Sequence, residues 1–249
     1  MANSKFKKKM KVAFNYVWEL IKMALPAFFM YLCAGSVALM LNIKFEKEEF
    51  IWKNNQGLTI TWIVICAVVA CAYNGVIAWA NGGSHYEMLA SGNMKRASVS
   101  YGDEFKISSH KVWKEYRVWK GFVVGAICAL PVLIFGIAFG INQAKVAQGL
   151  TDKTMGLLEL GGIMSAGWAI MPFYYANALG GNCSYFLSLL FILLPVAING
   201  AFYIIGAYAR RNKAIRQQEL ADKAREAEMN KPKKINYGGL PGTKPKKRK

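Results

Sequence analysis

The strongest constraint in this chain of 249 residues is a set of long runs that carry no ionisable side chain. A helix rises about 1.5 Å per residue and the hydrocarbon core of a bilayer is about 30 Å thick, so roughly 20 apolar residues are needed to cross it. Three uncharged runs reach that length: Met23 to Ile43, Asn54 to Ser84 with its apolar part near 58–80, and Gly121 to Gln143. The stretch between Lys153 and Arg210 adds two more, near 156–179 and 184–209, with Glu159 as its one charge and Gly180-Gly181-Asn182 as a break. Outside these runs the chain is basic, with 32 Lys plus Arg against 14 Asp plus Glu. Apolar and charged residues are thus separated by segment rather than mixed at a helix or strand period, which excludes an ordinary soluble domain.

The expected fold is an all-α, polytopic transmembrane helix bundle of about five membrane segments, 23–43, 58–80, 121–143, 156–179 and 184–209. An amphipathic lead-in (1–22), a basic loop (81–120) and a basic tail (210–249) complete the organisation. The lysines ahead of the first run resemble the start of a signal peptide, but Glu19 and Lys22 intervene and the run is too long for one, so it is read as a retained span. Phe6, Met10, Ala13, Val17 and Leu20 share one helical stripe, which suits a helix lying on an anionic membrane surface.

Orientation follows from Lys and Arg near span ends. There are 6 before the first span, 3 in residues 44–56, 7 in residues 81–120, 2 in residues 144–155 and 14 from Arg210 onward. The N-terminus, the middle loop and the tail all favour the cytoplasm, yet three segments separate loop from tail, and the parity fails by one. A cytoplasmic tail is preferred. Segment 156–179, which holds Glu159, Gly156, Gly161, Gly162, Gly167 and Pro172, is the least ordinary of the five. It is read as a full span, with a broken or re-entrant helix as the alternative.

Helix packing in lipid relies on small residues and a few polar groups. Gly121, Gly125, Gly136 and Gly140 fall on one arc of the third span and form a packing seam, with Pro131 as an expected kink. An intramembrane carboxyl is costly to bury, which makes Glu159 the first candidate for a cavity-lining residue, followed by Asn74, Asn177 and Asn199. No catalytic or metal-binding spacing appears. His85 and His110 are assigned to the surface, and the five cysteines to packing positions, so neither an enzyme nor a cofactor is expected.

Trp113, Tyr116, Arg117, Trp119 and Lys120 precede the third span in the pattern a headgroup interface selects. The run Glu115-Tyr116-Arg117-Val118-Trp119-Lys120-Gly121-Phe122 resembles the pre-span sequence of small uncharacterised polytopic membrane proteins of Gram-positive anaerobic bacteria, which implies a bacterial cell membrane. The tail begins as a solvated helix near 210–230 and continues as a Lys- and Pro-rich stretch expected to be disordered. Two functions are open: a non-enzymatic transporter-like or transporter-associated component, or a biogenesis or scaffolding factor whose tail docks an acidic partner. The second is similar to the membrane-protein insertase family in its five-segment plan and basic tail. It departs from that family at residues 23–43, which hold no Arg. The expected partners are the bilayer, anionic lipids and a second copy or partner subunit. Nucleic acid enters only as ribosomal RNA at the tail.

Overall fold

A computed structural model of the protein describes residues 2–46, 49–90, 114–151 and 156–230. The first contact unit covers Met1–Arg211 and the second Asn212–Lys249. The first helix, α1, is Ala2–Asn42, and a hairpin of β1 (Ile43–Glu46) and β2 (Glu49–Trp52) leads to α2, Gln56–Ala90. Then come α3 (Trp119–Ala147), α4 (Leu157–Ala178), a 3-10 helix (Tyr185–Ile192) and α5 (Leu193–Met229). Four helical stretches are long and apolar enough to cross a membrane: Lys9–Asn42, Gln56–Met88, Trp119–Ala147 and Tyr185–Met229. Helix α4, at 22 residues, is not among them.

Two expectations need correction. Residues 1–22 do not form a separate surface helix, because α1 runs without a break from Ala2 through Pro26 to Asn42. The chain is also not purely helical: Ile43 pairs with Trp52 and Phe45 with Phe50 in an antiparallel hairpin. Asn42 fixes its base, accepting from Asn54 Nδ2 at 3.1 Å through its side chain and from the Lys53 N–H at 2.8 Å through its carbonyl. Residues 211–229, within the stretch expected as a solvated helix, are an exposed part of α5, while 231–249, expected to be disordered, lie outside the described residues.

The helix directions follow from paired contacts. Trp119, at the start of α3, stacks on Tyr16 of α1 with ring centroids 5.6 Å apart, and Cys128 Sγ donates to Ala24 O at 3.6 Å, so α3 runs alongside α1. The glycine seam of α3 faces the returning chain in reverse order. A Cβ on Gly121 would meet Asn199 O at 2.8 Å, one on Gly125 Pro195 O at 2.5 Å, and one on Gly136 Ser188 Oγ at 2.7 Å. A Cβ on Gly140 would strike the Phe186 ring at 2.7 Å. The seam is therefore an intramolecular contact, and the missing side chains let two antiparallel backbones touch. Midway along α5, Arg210 pairs with Glu87 near the end of α2 at 2.9 Å.

Helix α4 occupies a different position. Gln143, near the end of α3, donates from Nε2 to Cys183 O at 2.9 Å and accepts from the Tyr185 N–H at 3.0 Å. The end of α3 and the start of the 3-10 helix are thus neighbours, and everything between them leaves and returns to one end of the bundle.

Candidate functional site

The path of α4 builds the site. Glu159, in its first turn, lies close to both Tyr174 and Tyr185. Fifteen residues of straight helix would separate Glu159 from Tyr174 by about 22 Å, so α4 bends back between them. Its sequence permits that: Gly161, Gly162 and Gly167 weaken the rod, and Pro172 removes one backbone donor. The six residues from Ala166 to Met171 are all buried, as the tip of a folded-back segment inserted among other helices requires.

Around the entrance, half-buried Glu159 is joined by Tyr174, Tyr185, Asn177 and Gln143. Asn177 closes the α4 exit, donating from Nδ2 to Cys183 O at 3.0 Å and accepting from the Cys183 N–H at 2.8 Å. Trp52 of the hairpin covers this region, with its ring centroid 5.7 Å from Tyr174 and 4.6 Å from Tyr175. At the tip, Trp168 stacks on Tyr31 of α1 at 4.6 Å and meets Phe191 edge-on at 6.4 Å. Helices α1 and α4 approach so closely that a Cβ on Gly167 would stand 3.2 Å from Gly35 Cα. The Tyr31 hydroxyl neighbours Asn74 and Cys71 of α2 and Cys128 of α3.

Polar atoms at this tip lack partners. Both amide atoms of Asn74, the Tyr31 hydroxyl and the Trp168 Nε1–H are buried without a hydrogen bond. Each such group costs about 1–3 kcal/mol relative to a paired one. The set is neutral and offers both donors and acceptors, which suits a small hydrogen-bonding guest or water.

The four residues expected to line one cavity are therefore divided. Glu159 and Asn177 meet at the entrance through Tyr185, and Asn74 sits at the tip. Asn199 belongs elsewhere, bonding Pro195 O one turn back at 2.9 Å inside the α3–α5 contact. Tyr31, Trp168 and Tyr174 were missed by sequence reasoning. Each looks like an ordinary apolar-run aromatic, and only the fold-back of α4 sets Trp168 against Tyr31 and Tyr174 near Glu159.

The opposite end of the bundle corrects two further assignments. His85 is not on the surface: it is 4% exposed, with Nδ1 2.9 Å from the Tyr203 hydroxyl. Lys120 is fully buried, donating to Glu115 O and lying 5.2 Å from the Tyr16 ring centroid, rather than facing headgroups. Trp119 and Arg117 are exposed there, and Tyr116 is half-buried, stacked on Tyr203 at 5.2 Å. Trp113 and His110 lie outside the described residues. Among the described residues no three of His, Cys, Asp and Glu gather as a metal site would need.

Compared with protein-family models, curated proteins and solved structures, the chain matches none.

Proposed function

We propose that this is a multi-pass protein of a bacterial cell membrane with four spans and a re-entrant α4. In this reading α4 forms a site for a small solute entering from the outer face, as part of a non-enzymatic transporter-like protein or the membrane component of a transporter. The observation that carries it is the fold-back of α4: a carboxylate and two phenols at its entrance, and unpartnered neutral polar groups at its tip. Non-spanning helices that end on polar groups inside a bundle are how transport proteins build sites at mid-membrane depth.

The same reading removes the parity conflict. With four crossings, the N-terminus, the 81–120 loop and the tail emerge on one side. That side then holds 27 of the 32 Lys and Arg residues, and the positive-inside rule makes it the cytoplasm. A second reading, docking of an acidic partner by the tail, draws on the exposed polar helix that continues α5 through Met229.

Cytoplasm-dependent reporters fused after Lys249 and within 81–120 should both be active, and a cysteine placed at Gly149 should react with an impermeant maleimide from outside. Opposite reporter signals would make α4 a crossing segment and end this reading. Full-length protein in liposomes should then pass glycerol, urea or protons faster than empty liposomes. Glu159→Gln or Asn74→Leu should cut that flux at least tenfold, whereas removal of 231–249 should leave it. The reverse pattern supports the docking function.

A further inference from the structure

At the basic end a cavity of about 160 Å³ opens between α2, the segment before α3, and α5. Its lining is Tyr86, Tyr116, Val118, Ala207, Tyr208 and Arg211. Drug-sized ligands need roughly 300–1,000 Å³, so this space takes a headgroup fragment and not a large cofactor. Three of its polar groups point to an oxyanion: the Arg211 guanidinium and the hydroxyls of Tyr116 and Tyr208, which lie close enough to interact. Tyr116 is held in place on both sides, by its stack on Tyr203 at 5.2 Å and by Tyr86 edge-on at 6.2 Å. Burial raises the Tyr116 phenol above its ordinary range, which keeps it a proton donor. The remaining walls are Val118 and Ala207, and the apolar surface beside Val118 continues one turn on to exposed Phe122, whose ring packs on Gly200 of α5, the kind of face acyl chains cover.

We propose that this cavity binds the headgroup phosphate of an anionic phospholipid, with Arg211, Tyr116 and Tyr208 on the oxyanion and an acyl chain along the Val118 and Phe122 surface. A guanidinium with adjacent hydroxyl donors matches phosphate geometry. The apolar continuation selects a lipid over a free anion. The proposal rests on the membrane reading of the fold but not on solute passage.

The test uses the full-length protein in neutral detergent at 0.3 M salt, where charge attraction by exposed basic segments is screened within a few Å. Short-chain phosphatidylglycerol should raise the thermal midpoint saturably, phosphatidylcholine should not, and inorganic phosphate should compete only weakly. Arg211→Gln should weaken phosphatidylglycerol binding about tenfold and Tyr208→Phe about threefold. Arg211→Lys should keep most of it, and Arg210→Gln, which alters the neighbouring ion pair with Glu87, should bind within twofold of the parent. Equal binding by Arg211→Gln and the parent, or equal competition by inorganic phosphate, would overturn the proposal. Because the readout is lipid binding, its failure leaves the flux and sidedness results standing.

Discussion

Helices α3 and α4 have similar ingredients and opposite outcomes. Each carries several glycines and one internal proline, Pro131 in α3 and Pro172 in α4. In α3 the glycines Gly121, Gly125, Gly136 and Gly140 return to one arc, and that arc meets the backbone of α5 and the ring and hydroxyl of the 3-10 helix. Its contacts advance steadily along the returning chain from Gly121 to Gly140, so the helix does not turn back despite its proline. In α4 the glycines are an adjacent pair and an isolated third, and they meet different neighbours: Gly162 the Phe139 ring, Gly167 the backbone of Gly35. Without a shared arc there is no long partner to hold the helix straight, and Pro172 completes the bend. Glycine content alone therefore says little about a membrane helix. Its angular distribution decides whether glycine acts as a seam or as a hinge.

The sharpest way to break the comparison is to remove what anchors the tip of α4. Trp168→Ala deletes a side chain that is 2% exposed and stacked on Tyr31. Large-to-small changes of this type cost about 3–5 kcal/mol, and the lower end is expected where lipid supplies no hydrophobic drive. The thermal midpoint in detergent should fall by several degrees, and an impermeant thiol reagent should gain access to Cys71. An unchanged midpoint would mean that α4 is held from its entrance alone.

The difference between these helices was only partly legible in the sequence. Charge-free runs located the spans because the hydrocarbon core tolerates few charges, and the arc of Gly121, Gly125, Gly136 and Gly140 located the seam because helix periodicity is strict. The bend of α4 left one trace, the composition around Glu159 with its glycines and Pro172. That composition did not suffice to place the bend, since Glu159 and Tyr174, whose approach reveals it, lie fifteen residues apart in sequence. The burial of Lys120 and His85 was hidden for a related reason. A lysine beside a span reads as a headgroup contact, and only the packing of α1 and α5 supplies Tyr16 and Tyr203 as its cover and as the partner of His85. The β1–β2 hairpin was masked by a mixture of charged and aromatic residues that suits an interface equally well.

A second test concerns polar content and has the opposite sign. Asn74→Leu replaces two buried, unpartnered amide atoms with methyls of similar volume. If the tip is dry, stability should rise by about 1–2 kcal/mol while solute flux is lost. The expected signature is thus a higher unfolding midpoint in an inactive protein, a trade common where polar groups are kept for function rather than for folding. A fall in stability would show that Asn74 is satisfied by a resident water or guest.

The smallest effects separate seam from hinge most directly, because one substitution made in both helices should change sign. Gly125→Ala places a Cβ 2.5 Å from Pro195 O and 2.6 Å from Val196 Cα, both backbone atoms that cannot rotate away. The helices must move apart along the seam, costing about 1–2 kcal/mol. At Gly161 the added Cβ meets only the Phe135 ring edge at 4.0 Å, an ordinary contact. There the gain in helix propensity, about 0.5–1 kcal/mol for Ala over Gly, should appear as a slightly higher midpoint. Should Gly161→Ala instead lower the midpoint, the hinge would lie at the adjacent pair Gly161 and Gly162, and α4 would owe its shape to glycine freedom there rather than to Pro172. That outcome would move the bend toward Glu159 and shorten the arm that carries the carboxylate to Tyr174.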